Sequence, residues 1–564
     1  MKRFFLSFIF LLPFVVFAQP DSTKNVRTIV LLKNDKQLVP FKHLDSLTID
    51  YSGLPLLQSL GERYSQDSGT QNVLVTSDIH TTGDYAYKIL LHFGVADSLP
   101  QLGMDDFQAV VFCNKEDSLS QDLVIQKLFG GRPFTDTLTT KTLGYEPGTG
   151  IQTKGALRLS FGQPWEEGID SAYLYRKIDS IALNAIDSGV APGIQVLVAR
   201  NGRVIFHKTY GFLTYDSTER VHKNLLYDFA SVTKVTGALP ALMRLHDENK
   251  FDLDATMGTY LPYFAHGNKK ELTYRRILSH NAGLKAWIPY WKTTLRKSGK
   301  YRWHTLSHDS TAKFQTRIAP NLYLYNNYGD KIYKQIRKSP VNKDQGYVYS
   351  GLSFYLYPEI VEKLTGEDYE SYLKKTFYKP LGASTITYNP MRYYPLDRII
   401  PTEIDTFFRM EPLHGTVHDE GAAMMKGVSS NAGLFGTTLD LAKLFQMYLW
   451  MGSYGGEQFI SRNTMEKFTF CHYCNEGDRR GLGFDKPWLE DKANGSTAVD
   501  ASESSFGHSG YTGTFVWADP ENGVLFLFMS NRVYPTRYNT KIYQLNVRPT
   551  MHQAIYDAIK RYKQ

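Results

Sequence analysis

Two stretches constrain this chain most: IQVLVARNGRVIFHKTYG at 194–211 and GTFVWADPENGVLFLFMSN at 513–531. Each reads as a β-hairpin, because alternate side chains in a strand share one face. The first turns at Asn201-Gly202, a pair suited to the two positive φ angles of a type I′ turn. The second turns at Pro520 to Gly523. Between them LPALMRLHDEN, FYLYPEIVEKLTG and LDLAKLFQMYLW carry apolar residues at i, i+3 and i+4, the spacing of amphipathic helices. Strands at both ends of a helical middle predict one sheet built from both ends of the region. The last helix, MHQAIYDAIKRYK, is expected to pack on it.

Upstream the texture changes. TIVLLKN, LTIDYSG, NVLVTS and AVVFCN are short β-branched runs separated by helix-length stretches, which predicts a small α/β domain with a largely parallel sheet over 19–160. GYEPGTGIQTKG, at 144–155, has no periodicity and reads as the linker to a second region starting near 165. The 564 residues exceed what one core holds. Basic and acidic side chains, 64 against 56, give +8 with no Lys/Arg block, so the charge offers no nucleic-acid-binding surface.

MKRFFLSFIFLLPFVVFAQP has the build of a secretory signal over 1–18: Lys2 and Arg3, an apolar run, then Val16-Phe17-Ala18 as the cleavage site. A periplasmic or secreted protein is therefore expected. No cysteine follows the cleavage site to take a lipid, and no later apolar run reaches 18 residues, so no membrane span is expected after cleavage. The cysteines are Cys113, Cys471 and Cys474. CHYC reads as a redox pair, half a metal site or a local disulfide. Zinc would need two further ligands, none of which stands nearby, so a local bridge is the plainest reading.

The stretch FASVTKVTGALPAL, from 229, reads as a buried helix that opens with Ser231 and, three residues on, Lys234. Residues three apart share a helix face. An amine in a poorly solvated cleft has its charged form disfavoured and can accept a proton from the hydroxyl. A serine at a helix start also points its own N–H where an oxyanion develops. The pattern alone is weak, since an N-cap serine and a snorkelling lysine read the same way.

Two further stretches add to it: Tyr349-Ser350-Gly351 in YVYSGLSFYLY, just before a helix, and His508-Ser509-Gly510 in FGHSGYTGTFVWAD, read as the start of a strand. With these the chain resembles the serine β-lactamase and penicillin-binding-protein superfamily, in its class C, esterase and D-aminopeptidase-like branch. That family carries S-x-x-K, Y-x-N and K-T-G or H-T-G in this order. LSHNAGL at 278, VHDEGA at 417, SSNAGLFGTTLDLAKL at 429 and RRGLGFDKP at 479 agree with it. The resemblance covers about 165–564. It implies an α/β (α+β) fold, an antiparallel sheet plus a helical subdomain, preceded here by a small α/β sandwich.

The resemblance also implies roles. Ser231 would be acylated and Lys234 would accept its proton. Tyr349 would relay that proton, and the backbone N–H groups of Ser231 and Tyr511 would form the oxyanion hole. His508 would line the cleft and hold the tyrosine hydroxyl or a substrate acceptor, with Ser509, Gly510 and Gly351 against the substrate. No metal or organic cofactor is implied. Two positions depart from the pattern. Gly351 stands where the family usually has asparagine or aspartate. His508 replaces the lysine of true β-lactamases, removing a permanent cation for a substrate carboxylate. Both weaken the case for β-lactams and favour esters or D-amino-acid peptides and amides of the cell wall, and the sequence leaves all three substrate classes open. The alternative is a non-catalytic peptidoglycan- or partner-binding protein on the same scaffold.

IVLLKNDKQLVPF and LFGGRPFTDTL resemble the C-terminal α/β domain of family 3 glycoside hydrolases. The catalytic barrel of that family has no room upstream, so no glycosidase activity is expected, only a support or docking domain. The Trp- and Tyr-rich segment 285–345 leaves open whether a lid covers the cleft.

Overall fold

The computed structural model describes residues 27–66, 69–94, 104–142, 144–343 and 346–564. The secretory signal expected at 1–18 lies outside them. The first domain is built on a five-stranded sheet in the order Ile29–Asn34, Ala109–Cys113, Tyr87–Phe93, Gln71–Thr76, Leu47–Ser52. Four strands run parallel and Ile29–Asn34 is antiparallel at one edge. The strand Tyr87–Phe93, in the centre of the sheet, is absent from the four runs singled out in the sequence. Its YKILLHF has few β-branched residues to mark it. One face packs on the helix Ser118–Leu128 through Val124, Ile125 and Leu128. On the other, Val30, Val110 and Phe112 meet Phe107, Leu138 and Tyr145. The segment 144–155 runs along this domain, with Ile151 N–H donating to Leu31 O and Thr153 N–H to Phe134 O.

The second domain carries the sheet expected from both chain ends. Its order is Phe506–Ser509, Phe515–Asp519, Val524–Ser530, Gly193–Arg200, Arg203–Gly211, Ser160–Phe161. All pairings are antiparallel except the short outer strand Ser160–Phe161. Asn201 and Gly202 take φ of 49° and 81°, as the I′ turn requires. The alternation sorts residues onto two cores. Val196, Val198, Trp517, Phe526 and Phe528 pack under the helices Ser171–Asp187 and Val547–Tyr562. Leu197, Ala199, Val516, Leu525 and Leu527 face a larger cluster that includes the helices Leu239–Asp247 and Thr438–Leu449.

The two domains are stitched by buried cations. Arg158 lies on the segment that enters the second sheet at Ser160–Phe161 and whose Leu157 O accepts from Gly455 N–H, and it donates to the carbonyls of Phe41 (2.6 Å), Lys42 (2.6 Å) and Phe129 (3.0 Å). Lys443 donates to Tyr64 O at 3.2 Å, to Gly382 O, and to Asp440 at 2.8 Å. Gly382 lies so close to Tyr64 O that a Cβ there would stand 1.9 Å from it.

The segment 285–343 forms a three-stranded sheet (Leu306–Ser307, Leu322–Leu324, Thr316–Ala319) and the helix Gly329–Lys338. It is pinned at its root: Ser350 Oγ donates to Lys285 O at 2.7 Å, and Gly351 N–H to Ala286 O at 3.3 Å. Cys471 and Cys474 form the local disulfide, and Cys113 is a buried free thiol. Among the described residues no helix is long and apolar enough to cross a membrane.

Candidate active site

The start of FASVTKVTGALPAL is not a regular α-helix. A tight 3-10 turn, Ala230–Val232, leads into a wide π turn, Lys234–Ala238, before the α-helix Leu239–Asp247. Pro240 is the cause. It has no N–H for the carbonyl four residues back, and its ring would collide with that carbonyl. Thr236 O instead accepts from Tyr378 Oη at 3.0 Å, and Val235 O from Tyr448 Oη at 2.9 Å. In the tight turn, side chains three apart eclipse one another. Lys234 Nζ accordingly lies 3.0 Å from Ser231 Oγ and donates to Asn431 O at 2.8 Å. Lys234 is buried, and Ser231 is half-buried.

Three elements hold this turn in place. Ala230, just before the serine, has φ of +46°, in the left-handed region that costs an alanine energy. Its N–H is anchored on Asp228 Oδ1 at 2.8 Å, while Asp228 Oδ2 accepts from His418 N–H at 2.7 Å. Burial raises the Asp228 pKa, and those two N–H groups oppose the rise. The strand Leu434–Gly436 pairs with Tyr227–Asp228, which brings the Asn431 carbonyl to the amine. Finally, Thr512 Oγ1 donates to Asp228 O at 2.8 Å and Thr514 Oγ1 to Phe229 O at 3.1 Å. These bonds tie the serine turn to the HSGYTGT turn. Gly510 is needed for that approach: a Cβ there would stand 2.0 Å from Thr514 Oγ1 and 2.5 Å from Phe229 O.

His508 sits in the strand Phe506–Ser509, one residue from its end and not at a strand start as the sequence suggested. The glycines at 510 and 513 turn the chain before the next strand begins at Phe515. Among the described residues the backbone N–H groups of Ser231 and Tyr511 donate to no carbonyl outside the helices and strands. Ser509 is half-buried at the strand end, and its carbonyl faces His508 Nδ1 at 2.7 Å. The Tyr511 ring is exposed and lies against His418, 5.7 Å between centroids. At Gly351 a Cβ would meet nothing within 4 Å. The space a longer side chain would enter is therefore open.

The Tyr349 ring is packed on four sides. His280 lies at 4.7 Å and His508 at 6.0 Å between centroids, with Arg480 at 5.0 Å and Lys234 Nζ at 5.5 Å from the ring centroid. Its hydroxyl is buried without a partner, so the bond from His508 to this oxygen implied by the resemblance is not made. Both imidazoles have pKa values well below the ordinary range. Burial is the main cause, and the charges of Arg480 and Lys234 add to it. Both rings are therefore neutral, and their tautomers differ. His508 Nδ1 carries the proton it gives to the Ser509 carbonyl, which leaves Nε2 an acceptor. His280 Nδ1 accepts from Ser350 N–H at 3.1 Å, which leaves Nε2–H a donor.

Asn431, His280, Arg480 and Asp228 are the residues that sequence reasoning passed over. Asn431 and His280 lie within the SSNAGLFG and LSHNAGL stretches and Arg480 within RRGLGFDKP, but nothing in those stretches says which atom is used.

Three comparisons bear on this arrangement. The model of the β-lactamase family matches residues 178–547, more than half of the chain. A protein of Salmonella enteritidis named "Putative D-alanyl-D-alanine carboxypeptidase" is 29% identical over 417 residues, covering 68% of this chain and 88% of that protein. Among solved structures, a penicillin-binding protein homologue from Caulobacter crescentus has a TM-score of 0.49 at 20% identity. It covers 68% of this chain and 97% of its own. An octameric penicillin-binding protein homologue from Pyrococcus abyssi has a TM-score of 0.47 at 18% identity, covering 67% and 79%.

Proposed function

Because the chain belongs to the β-lactamase family, we propose that it is an exported serine hydrolase that works through an acyl-enzyme on Ser231. Lys234 accepts the hydroxyl proton as Ser231 Oγ attacks a carbonyl, and Tyr349 passes that proton to the leaving group. The N–H groups of Ser231 and Tyr511 hold the oxyanion. Water, activated through the same tyrosine, then cleaves the acyl-enzyme. Esters and D-amino-acid peptides or amides are the substrate class, and the name of the Salmonella relative favours the peptides.

One observation carries this reading: the 3.0 Å contact between a buried amine and a serine hydroxyl, with the amine held from behind by a carbonyl. That carbonyl takes one N–H and leaves the lone pair for the hydroxyl. The test is covalent labelling. A fluorophosphonate is expected to add to Ser231 in the intact protein, located by peptide mass, and a Ser231→Ala variant should take up none. Binding of muropeptides without any labelling would favour a binding protein on this scaffold instead.

Export is part of the proposal and rests on the signal-like residues 1–18. Expressed in a Gram-negative host, the mature protein should start at Gln19 and be released by osmotic shock. An intact Met1 in the cytoplasmic fraction would remove it.

A further inference from the structure

The turn closed by the Cys471–Cys474 bridge grips two residues packed on the Tyr349 ring. The first is His280, which follows the helix Tyr274–Leu278 and takes φ of +58°. A histidine keeps that left-handed conformation only where its neighbours impose it. Arg276 and Asn281, on either side of it, are both held by the turn. Arg276 lies over the Tyr473 ring at 4.5 Å and donates to Glu476 at 3.1 and 3.3 Å. Asn281 Nδ2 donates to the same carboxylate at 3.4 Å. His472 Nε2–H donates to Lys467 O at 2.9 Å, which leaves Nδ1 to accept from Arg275 at 3.5 Å.

The second residue is Arg480, reached through Asp478. Asp478 N–H donates to Tyr473 O at 3.2 Å, and its Oδ1 accepts from the N–H groups of Arg479 at 2.6 Å and Arg480 at 3.1 Å. These contacts are weak singly. The side chains of Arg276 and Glu476 are 29% and 46% exposed, so water screens their attraction. The bridge is the covalent part of the grip. Cys474 is exposed and Cys471 half-buried, so the bridge is open to a thiol from solvent. Cys113 is buried in the sheet of the first domain, which confines exchange to this pair.

We propose that Cys471–Cys474 is a thiol-exchange site that regulates the active site, its reduction by an exported dithiol slowing acylation of Ser231. The inference rests on the hydrolase reading above and adds a control to it. A thiolate of the dithiol attacks the exposed Cys474 Sγ, the S–S bond breaks, and Cys471 leaves as a thiolate that takes a proton. The second thiol of the reductant then attacks the mixed disulfide and releases Cys474, which is protonated in turn. Two electrons and two protons pass to the protein, and the dithiol becomes a disulfide. The turn then keeps only its screened contacts, and both His280 and Arg480 gain freedom against the Tyr349 ring.

The test treats the full-length protein with millimolar dithiothreitol, and iodoacetamide followed by peptide mapping reports which thiols are open. Cys471 and Cys474 should be alkylated and Cys113 spared. Fluorophosphonate labelling of Ser231 should then be about 10-fold slower, within the loss that a misplacement of about 1 Å brings. Reoxidation with diamide should restore the rate. Amide hydrogen exchange should rise in peptides covering 279–281 and 478–483 and stay unchanged in the first domain. The double variant Cys471→Ser, Cys474→Ser should label at the slow rate with or without dithiothreitol. An unchanged or faster rate in protein whose bridge is shown open would overturn the inference, even if the double variant fails to fold. So would a bridge that stays closed in dithiothreitol. Absence of Ser231 labelling in both forms would instead remove the hydrolase reading, while hydrogen exchange would still show whether the bridge holds His280 and Arg480.

Discussion

Lys234→Met is expected to slow acylation of Ser231 by about 10²–10⁴-fold, the range a positioned general base supplies. The burst of p-nitrophenol released from p-nitrophenyl acetate measures it. Methionine fills much of the same buried volume without the amine, so the fold should persist. Lys234→Arg separates base from charge. A guanidinium keeps the cation but cannot lose its proton, so this variant should be as slow as Lys234→Met. Recovery of acylation in Lys234→Arg would mean that the amine acts as a fixed charge. Wild-type rates in both variants would leave Ser231 without its base.

The second large effect is on stability. Arg409 and Asp405 form an ion pair with no exposed side-chain surface, Nε to Oδ2 at 3.0 Å. Arg409 also donates to Val417 O at 2.8 Å and His418 O at 2.5 Å, and Asp405 accepts from the N–H groups of Phe407 and Phe408. Arg409→Met strips these carbonyls of their donor and leaves a buried carboxylate alone. A loss of about 3–5 kcal/mol is expected in chemical denaturation. Activity should fall with it, because the His418 N–H beside those carbonyls anchors Asp228 under the serine turn. Adding Asp405→Asn should restore part of the stability. A loss below about 1 kcal/mol would show that Met repacks the site, as happens where buried pairs are replaced by apolar groups.

Much of the site could be read from the sequence because its reacting atoms belong to side chains. Ser231, Lys234, Tyr349 and His508 were all visible as residue types in order, and both hairpins could be read from their alternation. What escaped was carried by the backbone or by tertiary packing. The Lys234 amine is held by the carbonyl of Asn431, and any residue has a carbonyl. The wide turn after Ser231 follows from Pro240, but its stability comes from the hydroxyls of Tyr378 and Tyr448, residues remote in the chain. Arg480 reaches Tyr349 only because Asp485 pairs with Gly507, a contact without a local pattern. The central strand Tyr87–Phe93 was passed over because tertiary burial, more than β-branching, makes it a strand.

The seam between the domains is asymmetric in what it asks of the genetic code. On one side it uses three particular residues, Arg158, Lys443 and Gly382. On the other they meet the main-chain oxygens of Phe41, Lys42, Tyr64 and Phe129, although side chains of the first domain also reach across, Arg132 to Glu166 at 2.8 Å and Gln126 Oε1 to the Phe161 N–H at 2.9 Å. Those oxygens survive any substitution that keeps the path of the chain. The leading domain can thus change side chains at those four positions without losing these bonds, whereas Arg132 and Gln126 on its side, and Arg158, Lys443 and Gly382 in the grip itself, have no such freedom.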